Sequence, residues 1–118
     1  MSAEDSARPI GIEPARVADW MVEDAGLQLI DVREPYEREA GHIADSRHIE
    51  LLELAARADT LERGRPVVVY CRAGIRSDMA AQALRAAGFE AYSMLGGLLR
   101  WAREGRALSP EGATVADH

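Results

Sequence analysis

The sequence predicts one small α/β domain with a central, mainly parallel sheet flanked by helices. Three observations support this fold class. The chain has 118 residues, a length typical of a single compact domain. Short apolar segments that suit strands alternate with segments of helical periodicity. The strongest strand candidate, residues 66–70, is apolar almost throughout rather than alternating, as expected for a parallel strand covered on both faces.

The first half of the chain is expected to form two helices and two strands. A helix begins at Glu13-Pro14, since proline is tolerated in the first turn, and Gly26 ends it. Residues 27–32 form a predicted buried strand, and a short polar helix follows over residues 35–40. Residues 46–49 are expected to form a further short strand.

The second half is expected to form three helices and two strands. In order, these are a helix over residues 51–58, the strand 66–70, a helix from Arg76 or Ser77 to Ala87, a strand over 91–94 and a helix over 98–102. The resulting domain covers residues 10–105. Residues 1–9 are expected to be a flexible N-terminal tail, and residues 106–118 a frayed C-terminal tail.

Composition argues against several classes of protein. The net charge of −6 makes non-specific nucleic-acid binding unexpected. No apolar run approaches a membrane span, and the polar, acidic N-terminus resembles neither a secretory nor an organelle import signal. The single cysteine excludes a disulfide framework within the chain and a zinc site built on several thiolates. We therefore expect a cytoplasmic protein with a reduced thiol.

That cysteine, Cys71, stands between the predicted strand and a predicted helix. A small buried core residue is the ordinary interpretation of such a cysteine. Its surroundings favour chemistry, because the free N–H groups at a helix N-terminus stabilise a thiolate. Gly74 gives the connecting loop the backbone freedom to curl round the sulfur. Arg76 is expected to brace the loop or contact an anionic substrate, and the more exposed Arg72 to steer an anion inward.

The spacing from Cys71 to Arg76 limits the chemistry. Six residues make a small ring of N–H groups, which suits the outer sulfur of a persulfide, whereas a tetrahedral phosphate needs a wider ring. This predicts covalent catalysis in which Cys71 takes sulfur from a donor such as thiosulfate. A second nucleophile, such as cyanide or a thiol, then removes the sulfur. The reaction calls for no metal and no organic cofactor.

Three sequence segments resemble the rhodanese family in its single-domain form: DVREPYEREAGHI (31–43), CRAGIR (71–76) and MLGGLLRW (94–101). The resemblance spans roughly residues 10–105 and implies a small rhodanese-like α/β fold. It implies that Cys71 is the persulfide-forming nucleophile of a thiosulfate sulfurtransferase. The acceptors it makes plausible are a thioredoxin-like protein, glutathione or a sulfur-carrier protein. The residues that it implies form the cradle are Arg72, Ala73, Gly74, Ile75 and Arg76, and those that brace the site include Asp31, Arg33 and His42.

One segment departs from the family pattern. Ala44-Asp45-Ser46 stands where the family commonly has Pro-Gly-Ala, which predicts a different bend and bears on which partner docks. Upstream of it, Arg33 is expected to pair with Glu37 or Glu39, and the acidic run Glu34–Glu39 to form a solvated face. His42 is expected to bond local backbone and not a metal.

Three functions remain open from the sequence. An enzyme that moves sulfane sulfur is favoured. A cysteine phosphatase or arsenate reductase of related fold shares the cysteine and the arginine. Its loop would need one more residue between Cys71 and Arg76, so the observed spacing counts against it. A binding module would use the same surface to recruit a partner with little turnover. The intact loop around Cys71 argues for activity.

Overall fold

The fold is a five-stranded, all-parallel sheet with helices on both faces, seen in a computed structural model that describes residues 8–118. The strand order is β1-β5-β4-β2-β3. The strands are β1 (Gly11–Ile12), β2 (Gln28–Asp31), β3 (Arg47–His48), β4 (Val67–Tyr70) and β5 (Ala91–Met94). The predicted fold class is confirmed. The flexible tail expected over residues 1–9 lies mostly outside the described residues.

The helices follow the predicted order with two corrections. They are α1 (Pro14–Glu23), α2 (Pro35–Ala40), α3 (Leu54–Arg57), α4 (Ile75–Ala86) and α5 (Gly97–Arg103). The helix expected over residues 51–58 is divided, since 3₁₀ turns at Leu51–Glu53 and Ala58–Thr60 flank the four-residue α3. Helix α4 begins at Ile75, earlier than predicted, because Gly74 already adopts the capping conformation. Within residues 8–118, no helix has the length and apolar character to cross a membrane.

The register of the sheet aligns the ends of two central strands. β2 pairs with β4 from Gln28 opposite Val67 to Asp31 opposite Tyr70. β4 also pairs with β5 on its other side, and all four of its residues are buried. Because ligand sites of parallel sheets lie beyond the carboxyl ends of the strands, this edge is where a site is expected. Cys71 follows β4 directly at this edge.

The core consists of one apolar layer on each face of the sheet. Successive side chains of a strand point to opposite faces, so neighbours in sequence belong to different layers. Cys71 belongs to the layer that α4 covers, with Val69 and Leu84. Tyr70 belongs to the layer covered by α1 and α5, with Trp101. The two sides of the strand end are therefore distinct environments.

The C-terminal segment, residues 106–118, corrects the expectation of a frayed tail. It contains no helix, yet it packs along the domain: the Trp101 indole N–H donates to the carbonyl of Ala107 at 3.0 Å, and the Thr114 N–H donates to the carbonyl of Ala40 at 2.9 Å. Ser109 forms a β-bridge with His42. Most of these contacts are made by backbone groups of the segment, which leave no periodic signal in the sequence.

Candidate active site

The sulfur of Cys71 is held inside the predicted loop by hydrogen bonds. The backbone N–H of Gly74 donates to Sγ at 3.1 Å, and that of Ser77 at 3.4 Å. Gly74 adopts a φ of +109°, a left-handed conformation that strains any residue with a Cβ. Cys71 is almost fully buried, with 1% of its surface exposed, so the sulfur combines burial with backbone donors that point towards it.

An open pocket of about 230 Å³ adjoins the sulfur. It is lined by Cys71, Arg72, Ala73, Ile75, Arg76 and His118. Four of the five predicted cradle residues thus line one pocket with the cysteine, and the fifth, Gly74, bonds to the sulfur itself. A pocket of this size with two arginines suits a small anion.

Arg76 is fixed beside the pocket by a carboxylate that the sequence assigns to a solvated face. Its two terminal nitrogens donate to the two carboxylate oxygens of Glu37 at 2.7 and 2.9 Å. Glu37 is fully buried, so the expectation for that position is wrong. Burial alone would raise the pKa of Glu37, but the hydrogen bonds from Arg76 and from the Glu34 N–H hold the pKa below its ordinary value. The guanidinium is therefore oriented by a permanent counter-charge.

Arg72 is more exposed and contacts the C-terminal segment. Its Nε donates to the carbonyl of Ala116 at 3.1 Å, and its Nη2 lies 3.4 Å from the carboxylate of Asp117. About 29% of the Arg72 side chain is exposed, against 19% for Arg76. His118, next along the segment, lines the pocket and lies 3.2 Å from the Glu34 carboxylate. The C-terminal segment thus contributes to the rim of the pocket.

Asp31 and Arg33 form a second ion pair, and the expected partners of Arg33 are wrong. The Arg33 guanidinium donates to both Asp31 oxygens at 2.9 and 2.8 Å and to the carbonyl of Gly41 at 2.7 Å, not to Glu37 or Glu39. The reason is proximity, because Asp31 is the last residue of β2 and Arg33 follows it by two positions. Burial alone would raise the pKa of Asp31, but Arg33 and Arg38 hold the pKa below its ordinary value.

This second pair belongs to a buried polar network around Tyr70. The Tyr70 hydroxyl lies 3.2 Å from the Asp31 carboxylate, accepts from the N–H of Ile43 at 3.1 Å and lies 2.8 Å from the Ser46 hydroxyl. Burial and the charge of Asp31 raise the pKa of Tyr70 to about 12, so the phenol stays neutral. Through these bonds the network anchors the segment from Ile43 to Ser46 to the end of β4.

The atypical Ala44-Asp45-Ser46 segment forms a tight turn on this network. Asp45 adopts a φ of +67°, which aspartate tolerates better than most residues. The Ser46 N–H and hydroxyl both donate to the carbonyl of Ile43, at 3.1 and 2.6 Å. His42, just before it, bonds through Nδ1 to the carbonyl of Arg38 at 3.1 Å. In residues 8–118, the hydrogen bonds of Asp31, Arg33 and His42 do not include Cys71.

The start of α5, at the Gly96-Gly97 turn, bonds to the backbone of the cysteine loop. The N–H of Leu98 donates to the carbonyl of Cys71 at 2.8 Å, and that of Leu99 to the carbonyl of Arg72 at 3.0 Å. Gly97 makes this approach possible: a Cβ there would lie 2.6 Å from the carbonyl oxygen of Cys71. The turn in the MLGGLLRW segment therefore anchors the loop through its backbone.

Sequence reasoning missed Glu37, Ser77 and His118 at this site. Glu37 and His118 contact it from segments far along the chain, so no local pattern marks them as site residues; the capping-box position of Glu37, three residues after Glu34, indicates only a helix start. Glu37, His118 and Glu34 also bring ligand-type atoms within 4.8 Å of one another. Both Glu37 oxygens already accept from Arg76, so this cluster does not fit a metal ion. Ser77 has a local signal, its place in the first turn after the loop.

Comparison with known proteins places this geometry in a family. The family model described as "Rhodanese-like domain" matches residues 13–104. The uncharacterized protein YqhL of Bacillus subtilis (strain 168) is 47% identical over 75 residues, which cover 63% of this chain and 60% of that protein. Thiosulfate sulfurtransferase GlpE of Coxiella burnetii is 35% identical over 82 residues, covering 69% of this chain and 77% of GlpE.

A solved structure agrees in fold. The rhodanese-related protein of Thermoplasma volcanium superposes with a TM-score of 0.77 at 32% identity, covering 83% of this chain and 95% of that one. The family match extends over most of the chain and includes β2, β4 and the Cys71 loop. The chain therefore belongs to the rhodanese-like domain family.

Proposed function

We propose that the protein is a sulfurtransferase that carries sulfane sulfur as a persulfide on Cys71. The observation that carries this proposal is the loop geometry, in which backbone N–H groups of Gly74 and Ser77 point at Sγ beside the fixed charge of Arg76. A relative that is named thiosulfate sulfurtransferase supports the same class. The site fits this chemistry because every step places negative charge on a sulfur atom.

The first half-reaction loads the enzyme. The Cys71 thiolate attacks the sulfane sulfur of thiosulfate, a sulfur–sulfur bond forms, and the original bond breaks with its electron pair leaving on sulfite. The product is Cys71–S–S⁻. Arg72 attracts the dianion towards the pocket, and Arg76 stabilises the charge near the new outer sulfur.

The second half-reaction unloads the enzyme. Cyanide or an acceptor thiolate attacks the outer sulfur, the persulfide bond breaks, and its electrons return to Cys71 as thiolate. Cyanide leaves as thiocyanate, and a thiol leaves as a persulfide. We propose that the natural acceptor is a thiol, such as glutathione or a thioredoxin-like protein, in the cytoplasm, where such thiols are kept reduced. Asp31, Arg33 and His42 brace the edge of the site.

The phosphatase alternative is less compatible with the arrangement of Arg76. A phosphatase needs a guanidinium free to grip two phosphate oxygens. Here the paired terminal N–H groups of Arg76 already grip the two oxygens of Glu37, so they are not free to grip a phosphate in the same bidentate way, although the side chain still lines the pocket. Hydrolysis of p-nitrophenyl phosphate at a rate matching sulfur transfer would overturn this assignment.

Steady-state kinetics test the proposal. Thiocyanate formation is measured while thiosulfate and cyanide are both varied, and a persulfide intermediate predicts ping-pong kinetics with parallel double-reciprocal lines. Cys71→Ser removes turnover while the protein stays folded, because the smaller hydroxyl accepts the same N–H groups. No turnover with thiosulfate, polysulfide or glutathione persulfide would contradict the proposal and favour a recruitment module. An unfolded Cys71→Ser protein would make the thiol a core residue.

A further inference from the structure

Two buried serine hydroxyls lie behind the sulfur of Cys71. Ser77 is in the first turn of α4 and Ser93 is on β5, and both are almost fully buried. Their Oγ atoms lie 2.8 Å apart. The Ser77 Oγ also lies 3.5 Å from the Cys71 Sγ and 3.2 Å from the carbonyl of Gly74. The sulfur, the two hydroxyls and this carbonyl form one connected hydrogen-bond chain.

The hydrogen bonds of the neutral thiol can be assigned completely. The S–H of Cys71 donates to the Ser77 oxygen, the Ser77 hydroxyl donates to the carbonyl of Gly74, and the Ser93 hydroxyl donates to the Ser77 oxygen. A serine oxygen has two lone pairs, so Ser77 can accept both. In the described part of the chain, the Ser93 hydroxyl bonds only to Ser77.

Loss of the thiol proton changes two of these bonds, those from Sγ to Ser77 and from Ser77 to Gly74, and keeps the bond from Ser93 to Ser77. The thiolate needs donors, and the Ser77 hydroxyl supplies one by turning its hydrogen from Gly74 to Sγ. The carbonyl of Gly74 does not become unpaired, because it still accepts from the N–H of Asp78 at 3.0 Å. Buried acceptors left unpaired are costly, so this second bond makes the rotation feasible. Sγ then accepts from two backbone N–H groups and one hydroxyl.

The geometry points to Ser77 and Ser93 as a hydroxyl relay that sets the reactivity of Cys71. Ser77 contacts the reacting sulfur, and Ser93 is a positioning residue that acts through it. Ser93 keeps the Ser77 oxygen supplied with a donor in both states, which polarises the Ser77 hydroxyl towards the thiolate. This inference rests on the proposed function only in taking Cys71 as the nucleophile.

The test is the rate of Cys71 alkylation by iodoacetamide as a function of pH. Cys71 is the only cysteine, so the alkylated fraction reports on this sulfur alone. Ser77→Ala is expected to move the midpoint of the profile upwards by about one pH unit, the effect of losing one hydrogen bond to a charged group. Ser93→Ala is expected to move it upwards by about half a unit, since it weakens that bond.

Two further variants separate a relay from simple packing. Ser46→Ala is the matched control, because Ser46 is also buried and hydrogen-bonded but lies in the Tyr70 network. It is expected to lower stability without moving the alkylation midpoint. Ser93→Thr keeps a hydroxyl on a strand that tolerates β-branched residues, and is expected to retain most of the wild-type profile.

A double-mutant cycle gives the sharpest criterion. Because Ser93 acts only through Ser77, adding Ser93→Ala to Ser77→Ala should leave the midpoint where Ser77→Ala alone puts it. Additive shifts, an unmoved midpoint in Ser93→Ala, or an equal shift in Ser46→Ala would each overturn the relay. Alkylation uses no sulfur donor, so these outcomes are independent of whether Cys71 carries sulfur. If Ser77→Ala does not fold, the Ser93 and Ser46 variants still decide between the outcomes.

Discussion

Two arginine–carboxylate pairs at the same end of the sheet have the same chemistry and different settings. In the Asp31–Arg33 pair both side chains are fully buried, on the side of the strand end that Tyr70 occupies. In the Glu37–Arg76 pair the carboxylate is buried, but the Arg76 side chain is 19% exposed and lines the Cys71 pocket. A fully buried ion pair can only stabilise the fold, whereas a pair whose arginine is partly exposed can also contact a ligand.

The difference shows how one edge of a sheet can combine stability with reactivity. Removing one partner of a buried pair leaves an unpaired charge in the interior, which is strongly destabilising. Arg76 can instead reach solvent when Glu37 is replaced, so loss of the carboxylate costs less stability in that pair. We therefore expect the first pair to determine the free energy of unfolding and the second to determine sulfur loading.

The largest effect is expected from Asp31→Ala. It leaves the buried Arg33 guanidinium without its counter-charge and should lower the free energy of unfolding by about 3–5 kcal/mol. Urea denaturation measures this change. Asp59→Ala, at an exposed position, serves as the control and should change stability by less than about 0.5 kcal/mol. A loss as small as that control would contradict the structural role of the pair.

The next effect is on sulfur loading in Arg76→Ala. Removing the oriented charge beside Cys71 should lower the rate of loading from thiosulfate by about tenfold, which corresponds to about 1.4 kcal/mol of transition-state stabilisation. Arg72→Ala is the matched comparison, and should lower loading less, because Arg72 is more exposed and already contacts Asp117. Rapid-quench measurement of the loaded fraction gives both rates. Equal losses, or the reverse order, would refute the role assigned to Arg76.

A smaller effect is expected from Glu37→Gln. The amide keeps the shape and one acceptor oxygen, but removes the charge that orients Arg76, so loading should fall about threefold and stability by about 1 kcal/mol. Glu39→Gln on the same helix is exposed and should change neither. If Glu37→Gln lowered stability as much as Asp31→Ala, the two pairs would not differ in the proposed way.

The smallest effect is on acid stability. The folded-state pKa values of Asp31 and Glu37 lie below their ordinary values of 3.8 and 4.5. The unfolded chain therefore takes up protons first as the pH falls, and the stabilisation present above those values is lost progressively through the lower folded-state values. Urea denaturation from pH 6 to pH 3 should show this decline, and Asp31→Asn should reduce its slope. An unchanged slope would contradict the pKa direction given for Asp31.

The sequence predicts the main elements because they depend on local patterns. Val67–Tyr70 forms a buried strand since it is continuously apolar, and the loop from Cys71 to Gly74 can be predicted from a strand, a cysteine and a glycine in order. Strand β1 has two residues, which is too short for any periodicity. It forms only because β5 offers a free edge.

The partners of the charged residues could not be predicted in the same way. Glu37 and Arg76 are 39 positions apart, and their contact depends on how α2 and the Cys71 loop meet in space. In sequence, Glu37 is one carboxylate among several in a polar helix. Glu37 can be buried because Arg76 pairs with it, and this pairing depends on tertiary structure. The capping position of Glu37 at the start of the helix distinguishes it from Glu39 in sequence, but that position does not predict burial or the contact with Arg76.

The most direct test of the central claim is intact-protein mass spectrometry after incubation with thiosulfate and then with cyanide. Wild-type protein is predicted to gain the mass of one sulfur atom and to lose it on adding cyanide, with thiocyanate released, while Cys71→Ser gains nothing. A gain on Cys71→Ser, or no gain on wild type with thiosulfate, polysulfide or glutathione persulfide, would contradict the account.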